Sequence, residues 1–338
     1  MNTIQKVLRG YSIRPTYIEK ITDRLYKVSD SHYTFAVKKS SLTMEVISTW
    51  EKVYHEAYSK NITYVLPVYL TAEGKLYLEL DQKIWYISPW IERKQIDDKT
   101  AINNIYSCIG KLHHSTKQPQ PFDSPKALRE FRDYKTSFCE KIQENLLSYV
   151  EHFEKSRYMS PFELQVCSQY RDIEMILKEL NKRVDQLIEE LQNQSEWNTS
   201  LCHGQLKFSH MVHNENTSLL NWEKAYIGNS ISDLSYLYKE QATYYDNHTE
   251  LLIEQFSTYI NENNLSKYEL LLLAIYLLDP SSYISNVNAY TKNTTTTTMI
   301  EKNKRLQRAY RQLIFGFKWS QKAETLIEPD LFDESLES

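Results

Sequence analysis

The sequence predicts an α+β protein: a small antiparallel sheet carrying one helix, followed by a larger, mostly helical segment. Two observations lead there. Alternation of β-forming and polar residues fills 17–40 and 63–91, whereas helical periodicity takes over from about residue 94. A third observation excludes. Six glycines in 338 residues is low against a usual share of roughly 7%, and neither G-x-G-x-x-G nor G-x-x-x-x-G-K-[ST] occurs. Folds that hold phosphate in a glycine-rich cradle are therefore disfavoured.

Taken in order, YIEKIT, RLYKVSD and HYTFAVKKS alternate across short polar joints and predict a three-strand meander. Over 43–58, Ile47, Trp50, Tyr54 and Ala57 share one helical stripe, with Glu45, Glu51, Lys52 and Glu56 mostly off it. The stretch TYVLPVYLTAEGKLYLELDQKIWYISPWI returns to period two, turning at 72–74 and 81–82. These elements define an N-lobe over 1–93. The C-lobe, 94–338, is predicted helical at 99–116, 124–157, 161–194, 231–246, 249–261, 267–278 and 301–323. One loop-hairpin interrupts it at 201–223, where two short apolar runs flank the turn-forming 214–217. The threonine run 294–298 reads as a mobile loop, and the acidic tail after about 328 as a frayed end.

Composition narrows the function classes. Hydrophobic residues make up 41% and charged residues 25%, without a run of the ~20 apolar residues a membrane span needs. No membrane span is expected, and the opening MNTIQKVLRGYSIRPTY lacks the charged-then-apolar pattern of a secretory leader. The net charge of −4 divides into +4 over 1–95 and −8 beyond, so no nucleic-acid partner is expected. Cys108, Cys139, Cys167 and Cys202 lie 31, 28 and 35 residues apart, which fits neither a zinc knuckle nor a disulfide framework, and a reducing compartment follows. The 26 tyrosines are read mainly as core.

One constellation carries chemistry. His203-Gly204-Gln205-Leu206-Lys207-Phe208-Ser209-His210 precedes the hairpin, Leu220-Asn221-Trp222-Glu223 ends it, and Gly228-Asn229-Ser230-Ile231-Ser232-Asp233-Leu234 follows. Upstream stand Ile109-Gly110-Lys111-Leu112-His113, the segment WYISPWIE over 85–92, and Ala36-Val37-Lys38. In this order they resemble the H-G-D-x-x-x-x-N loop, I-D-W-E, G-D-P-x-x-D-L, L-G-x-L-H, interlobe hinge and V-A-I-K of the aminoglycoside phosphotransferase and choline kinase group. The resemblance spans roughly 20–240 and implies a bilobal, protein-kinase-like fold. It also implies roles: Lys38 toward phosphate with Glu51 or Glu56 as its partner, Pro89 and Trp90 in the hinge, and Gly204, Trp222, Gly228 and Asp233 as scaffold. Lys39 takes the place of Lys38 under a one-residue register change.

The departures fall on the reactive positions. Phosphoryl transfer needs a carboxylate to orient the acceptor hydroxyl and another to hold Mg²⁺. Gln205 and Asn221, both neutral amides, occupy those places, and His210 replaces the second metal ligand. Mg²⁺ favours carboxylate and phosphate oxygens, and imidazole suits Zn²⁺ or Cu²⁺ better. Where a phosphate-covering loop belongs, Asp23-Arg24-Leu25 supplies side chains and no glycine. No catalytic residue is therefore expected at the degenerate positions His203, Gln205, His210 and Asn221, and neither a metal nor a cofactor; ATP with Mg²⁺ belongs only to the alternative. His203, His210 and His213 lack zinc-ligand spacing, and Cys202 reads as an inert buried thiol.

Within that group the low glycine count, the tyrosine and lysine content and the WYISPWIE hinge resemble the CotS-like spore-coat branch, most closely its YsxE-type members. The changed reactive positions predict a pseudokinase, and the likeness implies a protein made in the mother-cell cytoplasm and deposited in the spore coat, with other coat proteins as partners. The alternative is a small-molecule phosphotransferase in which Glu223 or Glu215 compensates for Asn221. Glu223 follows a strand residue read as facing the cleft and is therefore expected to point away from it.

Overall fold

The computed structural model describes residues 3–192, 194–246, 248–294 and 296–327, and the acidic tail after 328 lies outside them. Packing divides the chain into two units. The first comprises Met1–Lys117, Ser200–Gly228 and Asn261–Asn263, and the second Gln118–Thr199, Asn229–Ile260 and Asn264–Ser338.

The first unit opens with α1 (Thr3–Gly10), continues through β1 (Tyr17–Lys20), β2 (Leu25–Ser29), β3 (Thr34–Lys39), α2 (Met44–Ser59), β4 (Leu78–Leu80) and β5 (Lys83–Pro89), and reaches α3 (Asp98–Thr116). The antiparallel sheet has the order β1-β2-β3-β5-β4. Helix α1, which β-alternation does not announce, buries Ile4, Val7 and Leu8 at helical spacing against Val28, Phe35, Val37, Trp85 and Ile87 of the sheet. The strand expected over 63–70 is absent as such. Pro67 has no N–H for a ladder, and the segment instead borrows pairing piecemeal: Leu219 N–H donates to Tyr64 O at 2.7 Å, and Tyr69 N–H to Ile87 O at 2.8 Å. Helix α3 starts where Asp97 accepts from the Thr100 N–H, as an N-cap should.

Between the units' segments run β6 (Gln118–Pro121), α4 (Ser124–Tyr134), a π-helical turn (Lys135–Cys139), α5 (Glu140–Glu154), α6 (Pro161–Leu191) and β7 (Glu196–Cys202). The predicted single helix over 124–157 is thus interrupted by the π turn. Strand β6 reads QPQP, a composition no strand rule selects, and it survives because it pairs only with β7 and keeps its other edge free. Then come β8 (Met211–His213), β9 (Thr217–Leu219), β10 (Tyr226–Gly228), α7 (Ile231–Ala242), α8 (Thr249–Glu254), α9 (Phe256–Glu262), α10 (Lys267–Leu278), α11 (Ser281–Thr291) and α12 (Met299–Ile327). The hairpin of β8 and β9 is the one expected inside the helical remainder.

In the second unit α10 is buried almost all round, with Leu270, Leu271, Leu273 and Leu278 in the core. Together with α11 it forms the stretch Lys267–Thr291, long and apolar enough by composition to cross a membrane, yet 67% of its apolar window is buried within the fold. Gly316 lets α12 approach closely, since a Cβ there would sit 2.4 Å from Leu277 O. Arg183 on α6 is fully buried and satisfied: Nε donates to Glu179 Oε1 at 2.8 Å and to Ser320 Oγ at 2.9 Å, and the guanidinium also pairs with Glu324.

Candidate functional site

Strand β3 sets the site. Phe35 and Val37 point into the hydrophobic core, so by alternation Ala36 and Lys38 face the opposite side, where both line a cavity of about 570 Å³. The register pairs Lys38 with Leu25 of β2 and Tyr86 of β5. Lys38, not Lys39, is therefore the lysine of the cavity. Thr22, Arg24 and Leu25 also line it, as do Pro89 and Trp90 at the end of β5.

The loop between β7 and β8 is shaped by Gly204. Its φ is +76°, and a Cβ would fall 1.9 Å from Lys224 O, so only glycine fits. The His203 ring accepts from the Gln205 N–H at Nδ1 (3.3 Å), which leaves Nε2–H to donate to Leu220 O at 2.8 Å. His210 Nδ1 lies 2.9 Å from Gln205 O, so that nitrogen carries the proton. Burial and the neighbouring His203 push the His210 imidazolium down to about 4. The two rings stack at 5.5 Å, and Trp222, 4.7 Å from His203, donates its indole N–H to Leu219 O. The third histidine, His213, contacts Thr217 Oγ1 at 2.9 Å. Each of the three rings thus makes a hydrogen bond within the loop and hairpin.

The strand alternation expected beyond β9 breaks at Asn221. This residue adopts left-handed φ 64° and ψ 50°, a conformation that asparagine tolerates, and Trp222–Lys224 continue as a 3₁₀ turn. Glu223 lies on the same side as Asn221, with both side chains on Lys38, which corrects the expectation that it points away. Lys38 Nζ donates to Asn221 Oδ1 at 2.5 Å and pairs with Glu223 Oε1 at 3.1 Å. Glu223 is held in turn by Ser40 Oγ (2.9 Å), Ser41 Oγ (3.1 Å) and the Tyr86 hydroxyl (3.2 Å).

Charge in this cluster is balanced internally. Burial opposes ionisation of Glu223, but Lys38 and the Ser40 and Ser41 hydroxyls outweigh it and hold the carboxyl below its ordinary range. Burial also lowers Lys38, against the pull of Glu223. The expected partners Glu51 and Glu56 are corrected: Glu56 pairs with Lys60 one turn along α2 at 3.1 Å, and Glu51 lines a different cavity. The reason is positional, because the 3₁₀ turn delivers Glu223 to the lysine first. Ser40 and Ser41 carry no motif that singles them out in the sequence, and Tyr86, although inside the WYISPWIE segment, is not marked by it as a site residue. Tyr86 was legible in principle, being opposite Lys38 in an antiparallel pair.

Gln205 sits in the loop, with its backbone bonded to both histidine rings, but it is not among the residues lining the cavity. Gly228 ends β10, and Cys202, buried, directs its thiol at the Ser200 and Gly228 carbonyls. Asp233 is buried in the first turn of α7, in the second unit. Glu215 is exposed in the turn between β8 and β9.

As arranged, the carboxylate beside Asn221, Glu223, is committed to Lys38. The position for a metal carboxylate holds an amide whose oxygen already accepts from an ammonium, and Glu92, the carboxylate lining the cavity, bonds Lys27 at 2.7 Å and Trp90 Nε1 at 2.9 Å.

No family model matches the chain, and no curated protein matches it in sequence. Solved structures do. An aminoglycoside phosphotransferase from Alicyclobacillus acidocaldarius superposes with a TM-score of 0.70 over 96% of each chain at 13% identity. The AMP-bound spectinomycin phosphotransferase APH(9)-Ia gives 0.55 at 12% identity, covering 93% of this chain and 96% of its own. The amicoumacin kinase hAmiN, in complex with AMP-PNP, Ca²⁺ and its substrate, also gives 0.55, at 14% identity over 93% and 92%. The chain has the fold of the aminoglycoside phosphotransferase-like kinases, with an antiparallel sheet in its N-lobe and a mostly helical C-lobe.

Proposed function

We propose that this chain is a pseudokinase, a kinase-like body that binds without phosphoryl transfer, and that it serves as a structural component of a bacterial spore coat. One observation carries the first half. Lys38, the lysine a kinase would offer to phosphate, is engaged by Asn221 and by a Glu223 that three hydroxyls hold in place. An amide at Gln205 removes the acceptor for the substrate proton, which alone removes about 10²–10⁴-fold of rate. Neither nucleotide nor metal is needed in this role, and other coat proteins are the partners. The spore-coat assignment, from mother-cell cytoplasm to coat, is supported by the likeness of the low glycine count, the tyrosine and lysine content, the WYISPWIE hinge and the helix-rich insertion to the CotS-like branch.

The position of Glu223 favours a second reading, a small-molecule phosphotransferase that uses ATP and Mg²⁺ unconventionally. A nucleotide that drew Lys38 onto its phosphates would release a carboxylate beside Asn221. Thermal-shift titration with ATP, with and without Mg²⁺ or Mn²⁺, separates the readings, since a ligand at a hundred times its dissociation constant adds about 2.7 kcal/mol. A metal-dependent rise followed by label transfer to an amino-sugar or choline-like acceptor would overturn the pseudokinase. A fluorescent fusion that stays out of the forespore periphery during sporulation would overturn the coat assignment.

A further inference from the structure

The first unit holds a second and larger cavity, of about 1070 Å³, walled by α2 and the irregular segment 61–76. Small-molecule sites usually span roughly 300–1,000 Å³ and are mainly apolar with a few polar groups. This one has an apolar lining that includes Ala57, Ile62, Val65, Pro67, Val68 and Leu70. Lys52 and His55 stand exposed on the same wall, without an ion-pair partner among the described residues, and Glu51 is the carboxylate among the lining residues.

The two cavities share Tyr54 and Val68. From Tyr54 a continuous set of contacts leads to Lys38. Tyr54 packs edge-on against Trp50 at 4.8 Å, Trp50 against Tyr86 at 5.3 Å, and the Tyr86 hydroxyl donates to Glu223 Oε1, which pairs with Lys38. Trp50 is 1% exposed, so its ring cannot shift without moving its neighbours.

We propose that the larger cavity is an effector site for a long-chain carboxylate. The alkyl chain lies among the apolar residues and the head group against Lys52 and His55, and occupancy is transmitted through Trp50 and Tyr86 to the Glu223–Lys38 pair. This stands whether or not the smaller cavity turns over substrate.

Calorimetric titration of the full chain with myristate, tetradecanol and tetradecylamine tests the site. Myristate is expected to bind one to one and at least tenfold more tightly than the amine. Leu70→Glu puts a charge at a cavity position that is 57% exposed, so the fold tolerates it, and it should weaken myristate at least tenfold. Lys52→Glu, at an exposed position, should erase the preference for the carboxylate over the alcohol. Hydrogen exchange with myristate bound should change at least twofold over 219–225 as well as over 48–76. Absence of saturable myristate binding, preference for the amine, or Leu70→Glu binding within twofold of the parent would overturn the site. Exchange changes confined to 48–76 would overturn the transmission.

Discussion

Asn221 shows how one dihedral redirects a site. Its left-handed backbone brings Glu223 onto Lys38, and its side chain supplies a neutral oxygen where a kinase would place a charge. Asn221→Asp keeps a residue that tolerates that conformation and restores the anion, so Mn²⁺ should raise the thermal midpoint of the variant and leave the parent unchanged. Gly204→Ala should cost at least about 2–3 kcal/mol in urea unfolding, since strain at positive φ adds to overlap with Lys224 O. His210 gives a pH signature. Its folded pKa of about 4 lies below the unfolded 6.5, so between those values the unfolded chain binds more protons and stability falls as pH drops. His210→Asn should flatten that part of a pH–stability profile measured in urea. The motifs naming Lys38, Gly204, Gln205 and Asn221 were legible in the sequence. The partner of Lys38 was not, because the reach of Glu223 depends on the left-handed Asn221 and the 3₁₀ turn after it, which only backbone geometry reveals.

At the scale of elements, periodicity located most helices of the second unit, while their ends and breaks followed local chemistry. Helix α6 starts at a capping box in which Ser160 and Glu163 satisfy each other's backbone N–H, a signal written plainly as S-P-F-E. Ser160→Ala should lower stability by about 1 kcal/mol, read from the denaturation midpoint at unchanged m-value. Strand β6 was illegible because two prolines in four residues argue against any strand that must donate on both edges. Helix α11 was missed for the opposite reason. Its asparagines, serines and threonine are indifferent helix formers, and burial of Tyr283, Ile284 and Val287 decides the matter.

For the whole molecule, the α+β class and the order of sheet, helix, hairpin and helices could be read from alternation and loop motifs, and the superposition on phosphotransferases at 12–14% identity agrees. The tyrosines divide more evenly than a core reading expects. Tyr106, Tyr238, Tyr259 and Tyr283 are fully buried, whereas Tyr58, Tyr158 and Tyr245 are 82–89% exposed. Peroxidase with hydrogen peroxide should therefore yield dityrosine fluorescence mapping to those three, and replacing them with phenylalanine should remove most of it. The composition could count phenols but not sort them, because tyrosine suits both a core and a wet surface.

The π turn at Lys135–Cys139 has an outcome for chain length. A widened turn of this kind accommodates one surplus residue while the flanking coils keep their facing. Shortening the chain by one amino acid inside that turn should leave Ile142 and Leu146 seated as they are, whereas the same excision in the middle of α4 would swing everything upstream by about 100°. Here, then, is the place in the long charged stretch where evolution or an engineer can add or remove a single codon at little cost.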